Sequence, residues 1–211
     1  MNIFLELILL GVGFLSIIPV IYLWNTPKNM KYRCLKFLVN ATFTWTILIF
    51  IERISENTNI IYYAHILGYP LKFLMASFMF CTIFNYIEKK MPKWILASLS
   101  ILFTAEFLVA VTNAQTKYIL NLDPAGVITY DSLYTASNGP LFIFHLILTY
   151  SVLLISIVYM TLFLRKKRNI SHYKSVSKTM FYSVIITLLQ RPVTTIIKLL
   201  EHTRQVCTLF F

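Results

Sequence analysis

The stretch NGPLFIFHLILTYSVLLISIVYMTLFLRKKR, residues 138–168, decides the fold. Asn138-Gly139-Pro140 breaks the backbone, and an apolar run without any charge then extends over residues 141–164. A helix of that length crosses about 30 Å of hydrocarbon. The four cations at residues 165–168 mark the cytoplasmic side, because Lys and Arg in short loops are retained there. The stretch therefore predicts a transmembrane helix that runs from the outer face to the cytoplasm.

The composition of the whole chain also predicts an integral membrane protein. Its 211 residues are 58% hydrophobic and only 13% charged, whereas a soluble domain carries about 25% charged residues. The formal net charge is +11, but 13 of the 19 Lys and Arg residues lie in three short stretches, 25–36, 88–93 and 165–178. This distribution indicates topology and attraction to anionic lipid headgroups, and excludes a nucleic-acid partner.

The alternation of apolar segments and basic loops predicts an all-α, polytopic transmembrane helix bundle with its N-terminus outside. Five spans follow the charge rule at every loop, and a sixth segment follows them. The predicted helices cover about residues 2–24, 37–54, 60–87, 94–112, 140–164 and 179–200.

The sixth segment is less regular, because Gln190-Arg191-Pro192 lies at its middle. An Arg at the centre of a span costs about 2.5–3.5 kcal/mol on insertion scales. The segment either spans with Arg191 packed against a partner or lies partly in the interface. Residues 201–211 form a short tail without a further span.

The stretch 113–139 is predicted to be an extracellular loop. Asp123-Pro124-Ala125-Gly126 is a turn signal, and the alternating residues 127–130 behind it predict a short hairpin. Five tyrosines near this face predict an aromatic belt, with a stacking wall for a ligand as the alternative; they are Tyr62, Tyr63, Tyr118, Tyr130 and Tyr134.

Charged residues within the spans are the strongest candidates for a ligand or relay site. Lys72 and Glu106 fall at similar depth in the outer half, and charges at such depth usually face the bundle interior and pair. We expect the two to form a structural ion pair; a ligand or signal-relay site is one alternative, and the absence of any contact, with Lys72 extended towards the interface, is the other.

Two histidines, His65 and His145, fall in the outer third near Glu52 and Arg53. A histidine there reports external pH, since its unperturbed pKa is about 6.5, or it hydrogen-bonds a neighbouring carbonyl or faces the loop. No second ligand stands at metal spacing, so neither a metal nor another cofactor is expected.

The basic residues after the fifth span, Arg165, Lys166, Lys167 and Arg168, are candidates for contact with lipid or a partner. Topology alone also accounts for them. The cysteines Cys34, Cys81 and Cys207 show neither a CxxC motif nor paired spacing, which predicts no disulfide framework and no metal site.

Several short motifs recur in a recognisable order. They are Ala64-His65-Ile66-Leu67-Gly68-Tyr69, Thr112-Asn113, Gly139-Pro140-Leu141-Phe142 with His145 and Tyr150, and the arginine-rich loop before the sixth segment. With these motifs, residues 17–189 resemble the N-terminal seven-helix sensor region of bacterial histidine kinases and diguanylate cyclases.

The resemblance implies a non-catalytic sensory input module, in the bacterial cytoplasmic membrane, that senses at the outer face or within the bilayer. It also implies a homodimer and a cytoplasmic signalling partner. The family has a seventh helix and an output domain, whereas this sequence stops after the sixth segment. We therefore expect a truncated relative without enzyme activity of its own.

Two other classes of function remain as alternatives. A small transporter subunit is one, although Pro19, Pro70 and Pro192 show no inverted symmetry. A membrane cysteine peptidase is the other. Sixteen helical residues separate His65 from Cys81 by about 24 Å, too far for a dyad. Cys34 and His172 share the predicted cytoplasmic face, but nothing in the sequence orients them.

Overall fold

The structure is a computed structural model, and it describes residues 17, 18, 20–22, 24, 25, 33–87, 91–122, 128, 132, 133 and 136–166. The contacts divide the chain into two units, Met1–Leu153 and Leu154–Phe211. Each unit is described by itself below. The helix that begins at Pro140 is continuous through the boundary between them.

Helices dominate the described part of the chain, in agreement with the predicted all-α polytopic bundle. Four of them are long and apolar enough to cross a membrane. In chain order the elements are α1 (Arg33–Ile54), α2 (Thr58–Tyr86), α3 (Lys93–Val111), α4 (Asn113–Thr116), β1 (Leu120–Asn121), β2 (Ser137–Asn138) and α5 (Pro140–Lys166).

The four long helices match four of the predicted spans closely. The largest difference is at α1, which begins at Arg33 rather than at residue 37. The other ends differ from the predicted ones by two residues or fewer. Of the predicted first span, only the helical residues 17, 18, 20–22 and 24 are described. The predicted segment 179–200 and the tail 201–211 lie outside the described residues.

Helix α2 is the centre of the first unit. Asn57 caps its start, where the Asn57 side chain accepts hydrogen bonds from the backbone N–H groups of Asn59 and Ile60 at 3.0 and 3.4 Å. In its most apolar window 61% of the residues are buried, against 6% in α1 and in α3. The outer helices thus turn most of their apolar side chains outwards, as expected where lipid is the solvent.

The two ends of this helix group differ in character. One end carries α4, β1 and β2 and is called the strand end; the other carries Arg33, Lys36 and Lys93 and is called the basic end. Helices α1 and α2 meet at the strand end through the short loop of residues 55–57. The basic end therefore holds the start of α1 and the end of α2.

Hydroxyl groups within the long helices are satisfied by their own backbone. Most of those described donate to the carbonyl four residues earlier, as Thr42 does to Leu38 at 2.9 Å and Ser100 to Leu96 at 2.9 Å. Such bonds let Ser and Thr reside in hydrocarbon without a partner on another helix. The threonines of α1 thereby satisfy their hydrogen bonds within their own helix.

One amide side chain organises the loop at the strand end. Asn113 is completely buried, and its Nδ2 donates to Tyr62 Oη at 2.7 Å and to the Leu120 carbonyl at 3.1 Å. Its Oδ1 accepts from the backbone N–H groups of Ile119 and Leu120 at 2.7 and 3.3 Å. The loop is therefore fixed to α2 by a single residue that uses its donor and its acceptor atoms.

The entry into α5 packs directly on the same loop. The N–H of Gly139 donates to the Ile119 carbonyl at 2.9 Å, and the N–H of Leu141 donates to the Tyr118 carbonyl at 2.9 Å. A methyl group on Gly139 would overlap the backbone of Lys117 and Tyr118. Glycine is required at this position because the two backbone segments approach so closely.

One antiparallel strand pair is present at this end, and the predicted hairpin at residues 127–130 lies, apart from Ile128, outside the described residues. The antiparallel pair joins Leu120 to Asn138 and Asn121 to Ser137, outside the stretch 127–130. Of that stretch only Ile128 is described, and it is not in a strand. The pairing occurs where Asn113 and Gly139 bring the two backbone segments together.

The predicted aromatic belt is wrong for Tyr62, which is completely buried and accepts the Asn113 hydrogen bond. Its hydroxyl faces a polar partner inside the loop and not the headgroups. Tyr63 and Tyr118 are exposed, as expected for a belt. Tyr130 and Tyr134 lie outside the described residues.

In the second unit the described residues are 154–166, all within α5. Thr161 donates to the Ile157 carbonyl at 2.8 Å. Arg165 is exposed, whereas the side chain of Lys166 and the residues Lys167 and Arg168 are not described.

Replacement of Asn113 by Ala is expected to destabilise the loop at the strand end. The substitution leaves buried backbone N–H groups of residues 119 and 120 without an acceptor, at a cost of about 2–4 kcal/mol. The free energy of unfolding, measured by denaturant titration of the purified protein, should fall by that amount. Asn121→Ala is the matched control, because Asn121 is exposed in β1. Equal effects of the two substitutions would contradict this account of the loop.

Candidate functional site

The first polar contact across helices joins α1 to α2 near the strand end. His65 Nδ1 donates to Glu52 Oε1 at 3.1 Å, and the two side chains are 11% and 5% exposed. A carboxylate so deeply buried requires a donor, because no water is present to solvate it. The predicted proximity of His65 to Glu52 is confirmed.

A second pair of the same kind joins α3 to α5. His145 Nδ1 donates to both carboxylate oxygens of Glu106, at 3.1 and 3.0 Å. The side chains are 5% and 10% exposed. Glu106 lies five residues before Val111 and His145 five residues after Pro140, so each is about 7.5 Å from its helix end.

Tyr69 lies between the two pairs. Its hydroxyl is 3.3 Å from His65 Nε2, and its ring meets the rings of His65 and His145 edge to face, with centroids 5.6 and 5.3 Å apart. Phe142 completes the packing, with its ring centroid 5.8 Å from that of Tyr69. Tyr69 is only 4% exposed. One buried side chain of α2 thus contacts both imidazoles.

Lys72 lies one turn further along α2 and faces the same tyrosine. Its Nζ lies 4.9 Å from the centroid of the Tyr69 ring and 5.9 Å from that of Trp45. Cation–π contacts stabilise a charge that has been removed from water. We call Glu52, His65, Tyr69, Lys72, Glu106 and His145 the Tyr69 cluster.

The predicted ion pair between Lys72 and Glu106 differs from the arrangement in the structure. Glu106 bonds to His145, whereas Lys72 stands over aromatic rings. Helix α2 has 29 residues and Lys72 lies at its middle, deeper than Glu106 in its own helix. Even an equal depth in the membrane would not determine which face of its helix a side chain occupies. The two residues nevertheless belong to one cluster through Tyr69.

The remaining predicted site residues are not among the contacts of the Tyr69 cluster described above. Arg53 follows Glu52 on α1 and is half-buried. Of the predicted lipid or partner contacts, Arg165 is exposed, which fits either role.

Two of the cysteines approach each other, which their spacing did not suggest. Both lie at the basic end, where Asn85, one helical turn after Cys81, donates to Cys34 Sγ at 3.2 Å. His172, the partner that a peptidase would require for Cys34, lies outside the described residues. Within those residues no three His, Cys, Asp or Glu side chains are grouped to hold a metal ion.

Sequence reasoning did not select Tyr69 as a functional residue, although the motif quoted from residues 64–69 ends on it. The spacing contained the signal: His65 and Tyr69 are four residues apart and therefore share a helix face. Thr149 was also missed. It lies one turn after His145, is 8% exposed, and its Oγ1 has no hydrogen-bond partner among the described residues.

The pairing of Glu106 can be tested by double-mutant cycles on the free energy of unfolding. Glu106→Ala combined with His145→Ala should show a coupling energy of about 1–3 kcal/mol, because each side chain is the hydrogen-bond partner of the other. Glu106→Ala combined with Lys72→Ala should be additive to within about 0.5 kcal/mol. The reverse order of the two coupling energies would contradict the geometry.

Comparison with known proteins adds the class of the molecule. Residues 8–203 match the family described as the N-terminal 7TM region of histidine kinase. The match extends beyond residues 17–189 at both ends and includes the predicted sixth segment. Searches of curated proteins and of solved structures gave no significant match. The chain thus has apolar helices of spanning length, buried polar pairs between them and a family match over most of its residues. It belongs to the family of N-terminal seven-transmembrane regions of histidine kinases, which are membrane sensory input modules.

Proposed function

We propose that this sensory input region responds to protonation of the Tyr69 cluster, read at the outer side of the bacterial cytoplasmic membrane. The observation that carries the proposal is the position of Tyr69 between two buried imidazole–carboxylate pairs. Histidine is the side chain whose unperturbed titration falls between about pH 5 and pH 8. Two such groups in contact with one tyrosine provide a compact proton-responsive element.

The outer location follows from the distribution of cations. The basic end carries Arg33, Lys36 and Lys93, and residues 25–36 and 88–93 hold seven Lys and Arg residues in all. Such short basic loops remain in the cytoplasm. The strand end, with Glu52, Glu106 and the cluster, then faces outwards, where protons from the medium have the shorter path.

Protonation of His65 changes the direction of one hydrogen bond. In the neutral imidazole, Nδ1–H donates to Glu52 and Nε2 accepts from the Tyr69 hydroxyl. In the imidazolium both nitrogens are donors. The Tyr69 hydroxyl must then turn its proton away and accept instead. The ring of Tyr69 also contacts His145 and Lys72, so a reorientation of its hydroxyl changes the surroundings of both side chains.

The net charge of the cluster changes at the same time. Glu52 on α1 and Glu106 on α3 supply two carboxylates, and Lys72 on α2 supplies one ammonium, with Arg53 next to Glu52. His65 on α2 and His145 on α5 each add one positive charge when protonated. Four helices thus contribute charges whose sum depends on pH, so their packing depends on it as well.

Two histidines provide the free energy that a switch of this kind requires. A shift from 1:99 to 99:1 between two conformations needs about 5.5 kcal/mol. One proton site whose affinity differs about 100-fold between the conformations supplies about 2.7 kcal/mol. A single site therefore falls short, whereas two coupled sites suffice. The paired arrangement is what we expect of a sensor rather than of an isolated buried histidine.

The output of the module is proposed to leave through the basic end. Helix α2 runs from the cluster to residues 87–92, so movement of its outer half reaches that loop directly. We propose that a cytoplasmic signalling partner and a second copy of the chain bind the module and receive this signal. In the second unit, Arg165 is exposed and is a candidate contact for them.

The proposal predicts a change of Trp45 fluorescence with pH in the full chain reconstituted in lipid nanodiscs. Trp45 lies against Lys72, and Trp24→Phe with Trp94→Phe leaves it as the single tryptophan of the three in the chain. Its emission should shift when the pH is lowered and the two histidines become protonated. His65→Gln and His145→Gln should each reduce the shift, and the double variant should abolish it.

The matched control changes the other two histidines of the chain, His172→Gln and His202→Gln, and should leave the shift intact. Hydrogen exchange at residues 87–92 should follow the same titration if the signal crosses the membrane. An unchanged shift in the His65/His145 double variant would overturn the proposal.

A further inference from the structure

Three sulfur atoms meet at the basic end of α1 and α2. Cys34 lies in the first turn of α1 and Cys81 near the end of α2. Met91 belongs to the segment between α2 and α3. Cys81 Sγ is 3.8 Å from Met91 Sδ. Asn85, one helical turn after Cys81 on α2, donates to Cys34 Sγ at 3.2 Å, which places Cys34 against the same face of α2. Residues 57 positions apart in the sequence are therefore brought to one point.

Polar and positively charged groups lie beside Cys34. Asn85 Nδ2 donates to Cys34 Sγ at 3.2 Å, and Arg33 precedes Cys34 in the chain. Cys81 is buried, and Cys34 and Met91 are partly accessible from the end of the helices. A metal ion that arrives from the basic end would meet the accessible sulfurs first.

The kind of ligand selects the kind of metal. Two thiols and a thioether are soft donors, which favour copper(I) over the divalent ions that prefer oxygen or nitrogen. Two sulfurs bound at about 2.3 Å in a trigonal arrangement lie about 4 Å apart. The observed 3.8 Å between Cys81 and Met91 is close to that separation. The apo arrangement therefore needs little movement to accept the ion.

We propose that Cys34, Cys81 and Met91 form a three-sulfur site for copper(I) at the cytoplasmic end of α1 and α2. Binding replaces the two thiol protons, which are released to water, and no electron is transferred. The cytoplasm keeps thiols reduced, so both cysteines remain available as ligands. The net charge of the bound site is −1, and Arg33 lies beside it.

The site would couple two helices far from the Tyr69 cluster. Sixteen residues of α2 separate His65 from Cys81, or about 24 Å. A bound ion joins the start of α1 to the end of α2 and to the segment before α3. It therefore gives the module a second input at the cytoplasmic side, which does not depend on the response to protons.

The test measures copper(I) affinity of the full chain in nanodiscs, in a Cys207→Ser background, by competition with a chromophoric copper(I) chelator under reducing conditions. We expect one copper per chain, the release of two protons and an X-ray absorption spectrum with three sulfur ligands. Cys34→Ser and Cys81→Ser should each lower the affinity by about 100-fold, and Met91→Leu by about 10-fold, because even changes to outer-shell groups of metal sites cost about 10- to 100-fold.

Met75→Leu is the matched control, because Met75 lies on α2 and is also partly exposed; it should leave the affinity unchanged. Cys81→Met keeps a soft donor at the buried position and should retain part of the binding even if Cys81→Ser fails to fold. Equal affinity of Cys34→Ser and the parent would overturn the proposal. So would Met91→Leu behaving as Met75→Leu, or a Cys34–Cys81 disulfide in place of copper binding.

Discussion

The structure depends on one constraint: a polar group inside the hydrocarbon must find its partner within the protein. Two carboxylates, Glu52 and Glu106, enter the bundle, and a charge left alone there costs about 2.5–3.5 kcal/mol even on insertion scales. Each obtains a histidine from a neighbouring helix. These pairs fix which faces of α1, α2, α3 and α5 meet, and they bring both imidazoles onto Tyr69. The same contacts that satisfy the charges thus create the candidate sensor.

The spans and their order could be predicted from the sequence, because both follow from length and charge. Residues 138–168 contain a helix breaker, an uncharged run and a block of cations, and α5 begins at Pro140 and ends at Lys166. The number of residues from each helix end also predicts that His65 lies near Glu52, since both lie close to the loop that joins α1 to α2, and the structure confirms it. Such inferences need only the rise per residue of a helix.

Contacts that depend on the direction around a helix were not predictable in this way. Lys72 was assigned to Glu106, whereas His145 takes that carboxylate. Cys34 approaches the end of α2, where Asn85 donates to its sulfur, because α1 starts where α2 ends, and no spacing rule reports this contact. Asn113 and Gly139 belong to the short sequence motifs, but the motifs do not indicate what the two residues contact. The structure explains both, as the amide that holds the loop and the glycine that lets α5 approach it.

The most direct test of the Tyr69 cluster is nitrogen NMR of histidine-labelled full chain in lipid bilayers. Two of the four imidazoles should show a protonated Nδ1 hydrogen-bonded to a carboxylate. Glu52→Gln should shift the resonances of His65, and Glu106→Gln those of His145. Each substitution should also perturb the other histidine slightly, through Tyr69. Four imidazoles that resemble free histidine in water, unaffected by either substitution, would contradict the account.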